Sequence, residues 1–328
     1  VKQSCKGNSV TIPSLFDGRL SVPAIAAPLF IISQVDLVTA ICRSGMVGSF
    51  PSLNARPSGV LEQWLRQLTD NLTERDAPYA VNLIVHKSNS RLEEDLALCV
   101  KYRVPMIITS LGAREDVNDA IHSYGGIVFH DVINDQFARK AIAKGADGII
   151  AVATGAGGHA GTTSPFALVQ EIRTWFDGPL ALSGSIATGD AIAAAQAMGA
   201  DLGYIGSPFI ATDEAVADIR YKTMITECSS GDIVYSDLFT GVHGNYLRPS
   251  ILANGMDPDK LPSSDPSAMN FDPDRPTVKP WRDVWASGQG IGPVTEIVPA
   301  AQRVQRLARE YQAAVARLAA TAPRFTPR

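Results

Sequence analysis

The chain has 328 residues, 45% hydrophobic and 19% charged, which is ordinary globular composition with room for one large domain or a domain carrying a substantial insertion. Its 29 Lys and Arg against 33 Asp and Glu leave a net charge of −4, which excludes the basic excess that drives nucleic-acid binding. The best apolar run, VPAIAAPLFII at 22–32, is shorter than the roughly 20 residues of a membrane span. It also holds Pro28 and lacks a basic flank, so neither a span nor a signal peptide is expected.

Taken in chain order, eight β-rich apolar runs alternate with amphipathic stretches: 23–30, 46–50, 79–85, 105–110, 126–132, 148–154, 179–184 and 202–210. The runs are mostly continuously apolar, as strands buried on both faces are. The intervening stretches carry helical spacing. In DQFARKAIAKG, for example, Phe137, Ala138, Ala141 and Ile142 share one face. Gly45, Gly125, Gly145 and Gly199 sit where helices should stop. Strict alternation implies a parallel sheet with helical crossovers, and eight units fit an α/β fold of the (β/α)8 TIM-barrel type better than a doubly wound open sheet.

The rhythm stops after residue 212. Residues 213–295, with a proline-rich stretch at 256–280, read as a C-terminal cap over the barrel mouth. A last helix at about 296–320, with Val304, Leu307, Tyr311 and Leu318 on one side, should pack back on the barrel formed by 1–212. Cys5, Cys42, Cys99 and Cys228 are far apart and form no CxxC pair. They read as isolated thiols of a reducing compartment, so a soluble cytoplasmic protein is expected.

Ligands of a TIM barrel bind at the C-terminal ends of its strands. The seventh run ends in LSGSIATGD and the eighth at Gly206 and Ser207. A glycine turn at Gly184 and Ser185, a helix starting at Thr188 and the neighbouring eighth-run turn together predict a phosphate site. On the third run, period two sets Asn82, Ile84 and His86 on one face. Asn82 is costly inside a barrel unless paired, either to a ligand or to a neighbouring strand. His86, His130 and His159 end strand-like runs or follow them, so a metal site is conceivable, but no carboxylate–histidine signature supports it and none is expected. GAGGHA spells a dinucleotide fingerprint, yet GTTSP follows it instead of a helix. Trp281, Trp285, Tyr246 and Phe239 either line a cap pocket or fill the cap's own core. Arg248 is expected to pair with a carboxylate.

The histidine loop AGGHAG, the turn SGSIATG and the segment GADLGYIGSPFIAT together resemble the nitronate monooxygenase family, formerly called 2-nitropropane dioxygenases. NYLRPS and WASGQGIG extend the resemblance into the cap. It implies an FMN-containing TIM barrel that oxidises alkyl nitronates with O2 to a carbonyl compound and nitrite. Carried over by position, the implied FMN contacts are Ala27, Pro28 and Leu29 on the first strand, Asn82 on the third and His130 on the fifth. The turns contribute Gly157 and Gly158, Gly184 and Ser185, and Tyr204, Ile205, Gly206 and Ser207. His159 matches the active-site histidine. Val152, Ala160, Pro208 and Ala26 depart from the family's usual residues, leaving fewer side chains to hold the flavin edge. The implied partners are a small nitronate or nitroalkane and O2, with homodimerisation left open. A flavin enoyl-thioester reductase using NAD(P)H is the nearest alternative, and a flavin-binding protein without turnover or a flavin-free phosphate-binding lyase is a more distant one.

Overall fold

The computed structural model describes residues 12–57, 59–263 and 283–324. Eight parallel strands close around one axis: β1 (Ala24–Ala26), β2 (Gly48–Pro51), β3 (Tyr79–Ile84), β4 (Met106–Ser110), β5 (Ile127–Val132), β6 (Gly148–Val152), β8 (Leu180–Ser183) and β9 (Leu202–Ile205). β1 pairs with β9, and a bridge from Ile25 to Val47 joins β1 to β2, which completes a (β/α)8 barrel. The extra strand β7 (Gly158–His159) stands outside the barrel.

Period-two alternation divides each strand between two cores. Ile25, Val47, Ala80, Met106, Ile108, Phe129, Ile150, Ala181, Leu202 and Tyr204 fill the barrel interior. Alternate residues such as Val81, Leu83, Ile107, Val128, Ile149 and Leu182 face the surrounding helices. A fully buried aliphatic side chain of this kind contributes about 1.5–3 kcal/mol of transfer free energy, so both faces of every strand hold the ring closed.

The crossovers are α1 (Val35–Arg43), α2 (Val60–Asn71), α3 (Leu92–Lys101), α4 (Glu115–His122), α5 (Asp135–Ala143), α6 (Pro165–Arg173) and α7 (Gly189–Met198). Local chemistry starts several of them. Asn134 accepts from Phe137 N at α5, Thr188 accepts from Ala191 N at α7, and Pro165 opens α6. Gly145 and Gly199, just beyond α5 and α7, have φ of +89° and +114°, as helix-stopping glycines should. On α5 the buried face is Ala138 and Ala141, while Phe137 is 46% exposed, because the α5 turn presents it beside rather than toward the sheet.

The strands start or stop within a few residues of the apolar runs, and the largest differences lie at the ends of β1, β6 and β9. β1 stops at Ala26, because Pro28 and the turn at 29–32 end its pairing. β6 stops at Val152 rather than Thr154. β9 stops at Ile205, and the remaining apolar residues form a single helical turn, α8 (Ser207–Ile210), with Pro208 in its first turn.

Beyond α8 the chain forms α9 (Ile219–Glu227), an antiparallel pair β10 (Ile233–Ser236) and β11 (Gly244–Leu247), and α10 (Arg248–Ala253). β11 pairs on its other edge with β7, in register Gly244 to His159 and Asn245 to Gly158. Tyr246 and Phe239 pack together at 4.6 Å between ring centroids, in a small core with Ile251, Val284 and Ala286. Trp285 instead stacks on Tyr221 at 4.9 Å and joins the large core around the barrel. Trp281 and the stretch 264–280 lie outside the described residues, as do residues 1–11 with Cys5. Arg248 grips Asp259 through both terminal nitrogens, at 3.0 and 2.9 Å.

The last helix, α11 (Ala300–Thr321), buries Val304 and Leu307 and packs against α7 and α1. Tyr311 is half-buried and donates its hydroxyl to Gln196 Oε1 at 2.6 Å. Leu318 is 51% exposed, since the helix outruns the surface it covers. Among the described residues no helix is long and apolar enough to cross a membrane.

Candidate active site

The turns after β6, β8 and β9 meet in one cleft at the C-terminal end of the barrel. It is lined by residues 155–157, 183–187, Tyr204, residues 206–208, Gly288 and Gly290. None of these side chains is charged, and the lining is main chain, hydroxyl and small apolar groups. That composition suits an anion held by amide and hydroxyl donors, with no carboxylate in the lining to repel it.

Close packing of three loops explains the glycines around His159. A Cβ on Gly155, whose φ is +81°, would fall 2.2 Å from Ser185 Oγ. One on Gly157 would fall 2.7 Å from Gly288 N. Only backbone fits where these segments touch. Their bonds are specific. Gly288 N donates to Ser207 Oγ at 2.8 Å, Gln289 N donates to Gly155 O at 2.9 Å, and Asn245 Nδ2 donates to Ala156 O at 2.6 Å. The GQGIG segment at 288–292 is thus the wall of the cleft, formed by a distant part of the chain. It has no strand-and-helix context of a dinucleotide motif, and GAGGHA runs into β7 rather than into a helix.

The α7 N-terminus does not serve the cleft in the way its sequence suggested. Gly189 N donates to Glu310 Oε2 at 2.9 Å, and Ala191 N donates to Thr188. A carboxylate from α11 already occupies the start of this helix, as its dipole favours. The main-chain and hydroxyl groups that line the cleft from these turns are those of residues 184–187 and 206–207. Ser207 accepts from Gly288, which leaves its hydroxyl proton for a ligand, while Pro208 brings no N–H.

The strand-1 turn is brought to the same place. Ala27 N donates to Ile205 O at 2.8 Å, and a Cβ on Gly206 would stand 3.5 Å from Ala27 Cβ and 3.2 Å from Leu29 Cδ2. Pro28 lies between them. Ile205 itself is 1% exposed and its side chain joins the outer core, so only its main chain faces inward.

Across the barrel from β8 and β9 stand β3, β4 and β5. Here Asn82 is 5% exposed, and its Nδ2 donates to Ile108 O at 3.0 Å and to Ser110 Oγ at 2.8 Å. Ser110 Oγ in turn donates to Asp131 Oδ2 at 2.5 Å. Both amide protons of Asn82 are used within the barrel, so its Oδ1 is the atom with capacity for a ligand donor. Burial pushes the Asp131 carboxyl up to about 6, against the lowering pull of Ser110.

His130 follows the other parity of β5. It is 6% exposed, and its Nδ1 is hydrogen-bonded to Thr109 Oγ1 at 2.7 Å on the outer side of the strands. Burial lowers its pKa to about 4. Asp131, not His130, occupies the inward position of this strand. His86 lies in the turn after β3, 2.9 Å from Ser88 Oγ, and does not join the other histidines. Among the described residues no cluster of three His, Cys, Asp or Glu could hold a metal ion.

His159 is fixed by the β7–β11 pairing and by Thr240, whose Oγ1 lies 2.9 Å from Nε2. Thr240 donates its one hydroxyl proton to Val242 O at 2.9 Å. The bond to His159 therefore runs from Nε2–H, which makes Nδ1 the acceptor nitrogen of the neutral ring. Burial lowers the pKa of His159 to about 4, so the ring is neutral at pH 7. Ser110, Asp131, Thr240 and Asn245 escape a reading of motifs. The signal for the first two is present: in MIITS and IVFHDV a polar residue stands two positions beyond an interior one, at the C-terminal end of a strand.

The chain thus folds as a closed (β/α)8 TIM barrel with an uncharged cleft at the ends of its last two strands and a neutral histidine on the loop after β6. The chain matches the nitronate monooxygenase family over residues 91–310, and it belongs to that family. It is 31% identical over 187 residues to a monooxygenase of Mycobacterium tuberculosis, covering 56% of this chain and 49% of that protein. It is 25% identical over 284 residues to a nitronate monooxygenase of Paraburkholderia phytofirmans, covering 72% of this chain and 76% of that one. The chain thus spans about half the length of the mycobacterial relative. Its fold superposes on a nitroalkane oxidase from Streptomyces ansochromogenes with a TM-score of 0.77 at 23% identity, over 93% of this chain and 99% of the other.

Proposed function

We propose that this chain is an FMN-dependent enzyme that oxidises alkyl nitronates with O2 to an aldehyde or ketone plus nitrite. The carrying observation is the opposition of two halves of one barrel mouth. Uncharged main-chain and hydroxyl groups line the cleft at the β8 and β9 ends, and the Asn82–Ser110–Asp131 polar row stands at the β3, β4 and β5 ends. A flavin mononucleotide has its phosphate and its ring at opposite ends of a ribityl chain, so the two halves match its two ends.

In this reading the turns at Gly184, Ser185, Gly206 and Ser207 hold the phosphate, with the main chain of Gly157 and Gly158 close to the ring. Ala27, Pro28 and Leu29 form an apolar edge, and Tyr204 stands between the two halves. Asn82, whose Oδ1 keeps acceptor capacity, would hold the ring end by a hydrogen bond. When bound, FMN supplies the electron acceptor and the reactivity toward O2.

His159 would offer Nδ1 as the acceptor for the α-proton of a neutral nitroalkane. Its low pKa makes it a weak base, so a preformed nitronate is the better substrate at neutral pH. The test is flavin absorbance of the purified protein on anaerobic mixing. Bleaching with a nitronate and none with NADPH supports this function. Bleaching with NADPH alone replaces it with a reductase acting on an activated alkene, and a protein that retains no flavin under any condition removes it.

A further inference from the structure

Asp131 is the one carboxylate aimed into the barrel interior among the polar groups described above, and the motifs do not account for it. Its strand places it two residues beyond Phe129, which lies in the interior core. Ser110 holds its Oδ2 at 2.5 Å, and Ser110 is itself held by Asn82. A three-residue row thus fixes the carboxyl in one orientation. Asp131 also reaches the cleft electrostatically: its charge and burial together push the phenol of Tyr204, a cleft-lining residue, well above its ordinary value. The side chain keeps partial exposure, which on an inward-facing strand position is exposure to the mouth.

Ser110 from β4 holds it directly, Asn82 from β3 stands behind Ser110, and its charge acts on Tyr204 from β9. Tyr204 is the titratable one of these, and it stays protonated through the neutral range. The outward-facing His130 on the same strand bonds Thr109 instead. The ionisation of Asp131 is governed by burial, which raises its pKa, and by Ser110, which lowers it.

We propose that Asp131 is the electrostatic tuning residue of the cofactor site, placing an ionisable carboxyl against the ring end of bound FMN and so making the cofactor's ease of reduction depend on pH. This rests on the FMN reading above. Reduction adds electron density to the ring, and a neighbouring negative charge opposes it. Above the carboxyl's ionisation the ring is harder to reduce. Below it, the neutral acid removes that opposition and offers a hydrogen bond.

The experiment is a spectroscopic redox titration of the flavin-loaded protein from pH 5 to 8.5, for wild type, Asp131→Asn and Ser110→Ala. Wild type should show an extra inflection in midpoint potential near the carboxyl's ionisation. Asp131→Asn, which keeps shape and removes charge, should abolish the inflection and raise the potential at pH 8. Ser110→Ala should move the inflection to higher pH, because the hydroxyl favours the ionised form. Flavin-loaded Asp131→Asn with the wild-type potential and pH profile would overturn the proposal while leaving the FMN reading intact. Wild-type protein that binds no FMN would remove both.

Discussion

Glu310 of α11 accepts a hydrogen bond from the main-chain N–H of Gly189, the first residue of α7, at 2.9 Å and across 121 positions of sequence. The same contact brings α11 so near that a Cβ on Gly189 would lie 2.1 Å from Tyr311 N and 2.3 Å from Leu307 O. Tyr311 to Gln196 and Arg317 to Asp190 extend the seam. This last helix therefore seals the helix that leads out of the Gly184–Ser185 turn.

Gly189→Ala should accordingly destabilise the protein by about 3 kcal/mol, since the α11 backbone leaves the methyl nowhere to go. Urea unfolding followed by circular dichroism measures it. A wild-type midpoint would show that the seam is looser than its geometry. Glu310→Gln keeps an acceptor and should cost far less.

Replacing His159 by Ala should lower kcat with a neutral nitroalkane about 100-fold, in the range seen when a positioned general base is removed. The flavin-to-protein absorbance ratio should not change, because the cleft donors lie on other loops. Unchanged turnover would mean that His159 only fastens β7 to Thr240. Wild type should also show a higher kcat/KM for a nitronate than for its parent nitroalkane at pH 7.

Removing the Ser207 hydroxyl should loosen the cleft on two counts, through the lost acceptor for Gly288 N and through the lost phosphate donor. A hydrogen bond to a charged group is worth about 1.5 kcal/mol, so Ser207→Ala should bind FMN about tenfold more weakly, read by flavin fluorescence on dilution. Equal affinity would place the phosphate elsewhere.

Acid should destabilise the fold through its buried histidines. His130 and His159 titrate at about 4 when folded, against an ordinary 6.5. Between those values the unfolded chain binds more protons, so stability is complete above pH 6.5 and falls as pH drops toward 4. Each group contributes at most about 1.4 kcal/mol per pH unit in that window. Asp131, with its pKa raised to about 6, acts in the opposite sense and offsets part of the loss. His130→Gln should therefore show a smaller drop in urea midpoint between pH 7 and pH 4.5 than wild type. An equal drop would show that His130 is not buried neutral.

Alternation of apolar runs with helical periods, and glycines at helix ends, made the barrel legible in the sequence, because both signals are local: each depends on residues within a turn or a strand. The loop at His159 and the turns at Gly184 and Gly206 were legible for the same reason. Strand parity at His130 and Asp131 was not. Adjacent residues face opposite sides of β5, and only closure of the sheet shows which side is the interior. Nor was the α7 N-terminus, whose first N–H is taken by Glu310 from the far end of the chain. The row from Asn82 through Ser110 to Asp131 joins three strands, and Gly288 meets Gly157 and Ser207 across more than eighty residues. Such contacts are set by which surfaces remain to be buried once the elements have formed. That is why the elements and the turns at their ends could be read from the sequence alone, while only the tertiary structure decided which side chains face the barrel mouth.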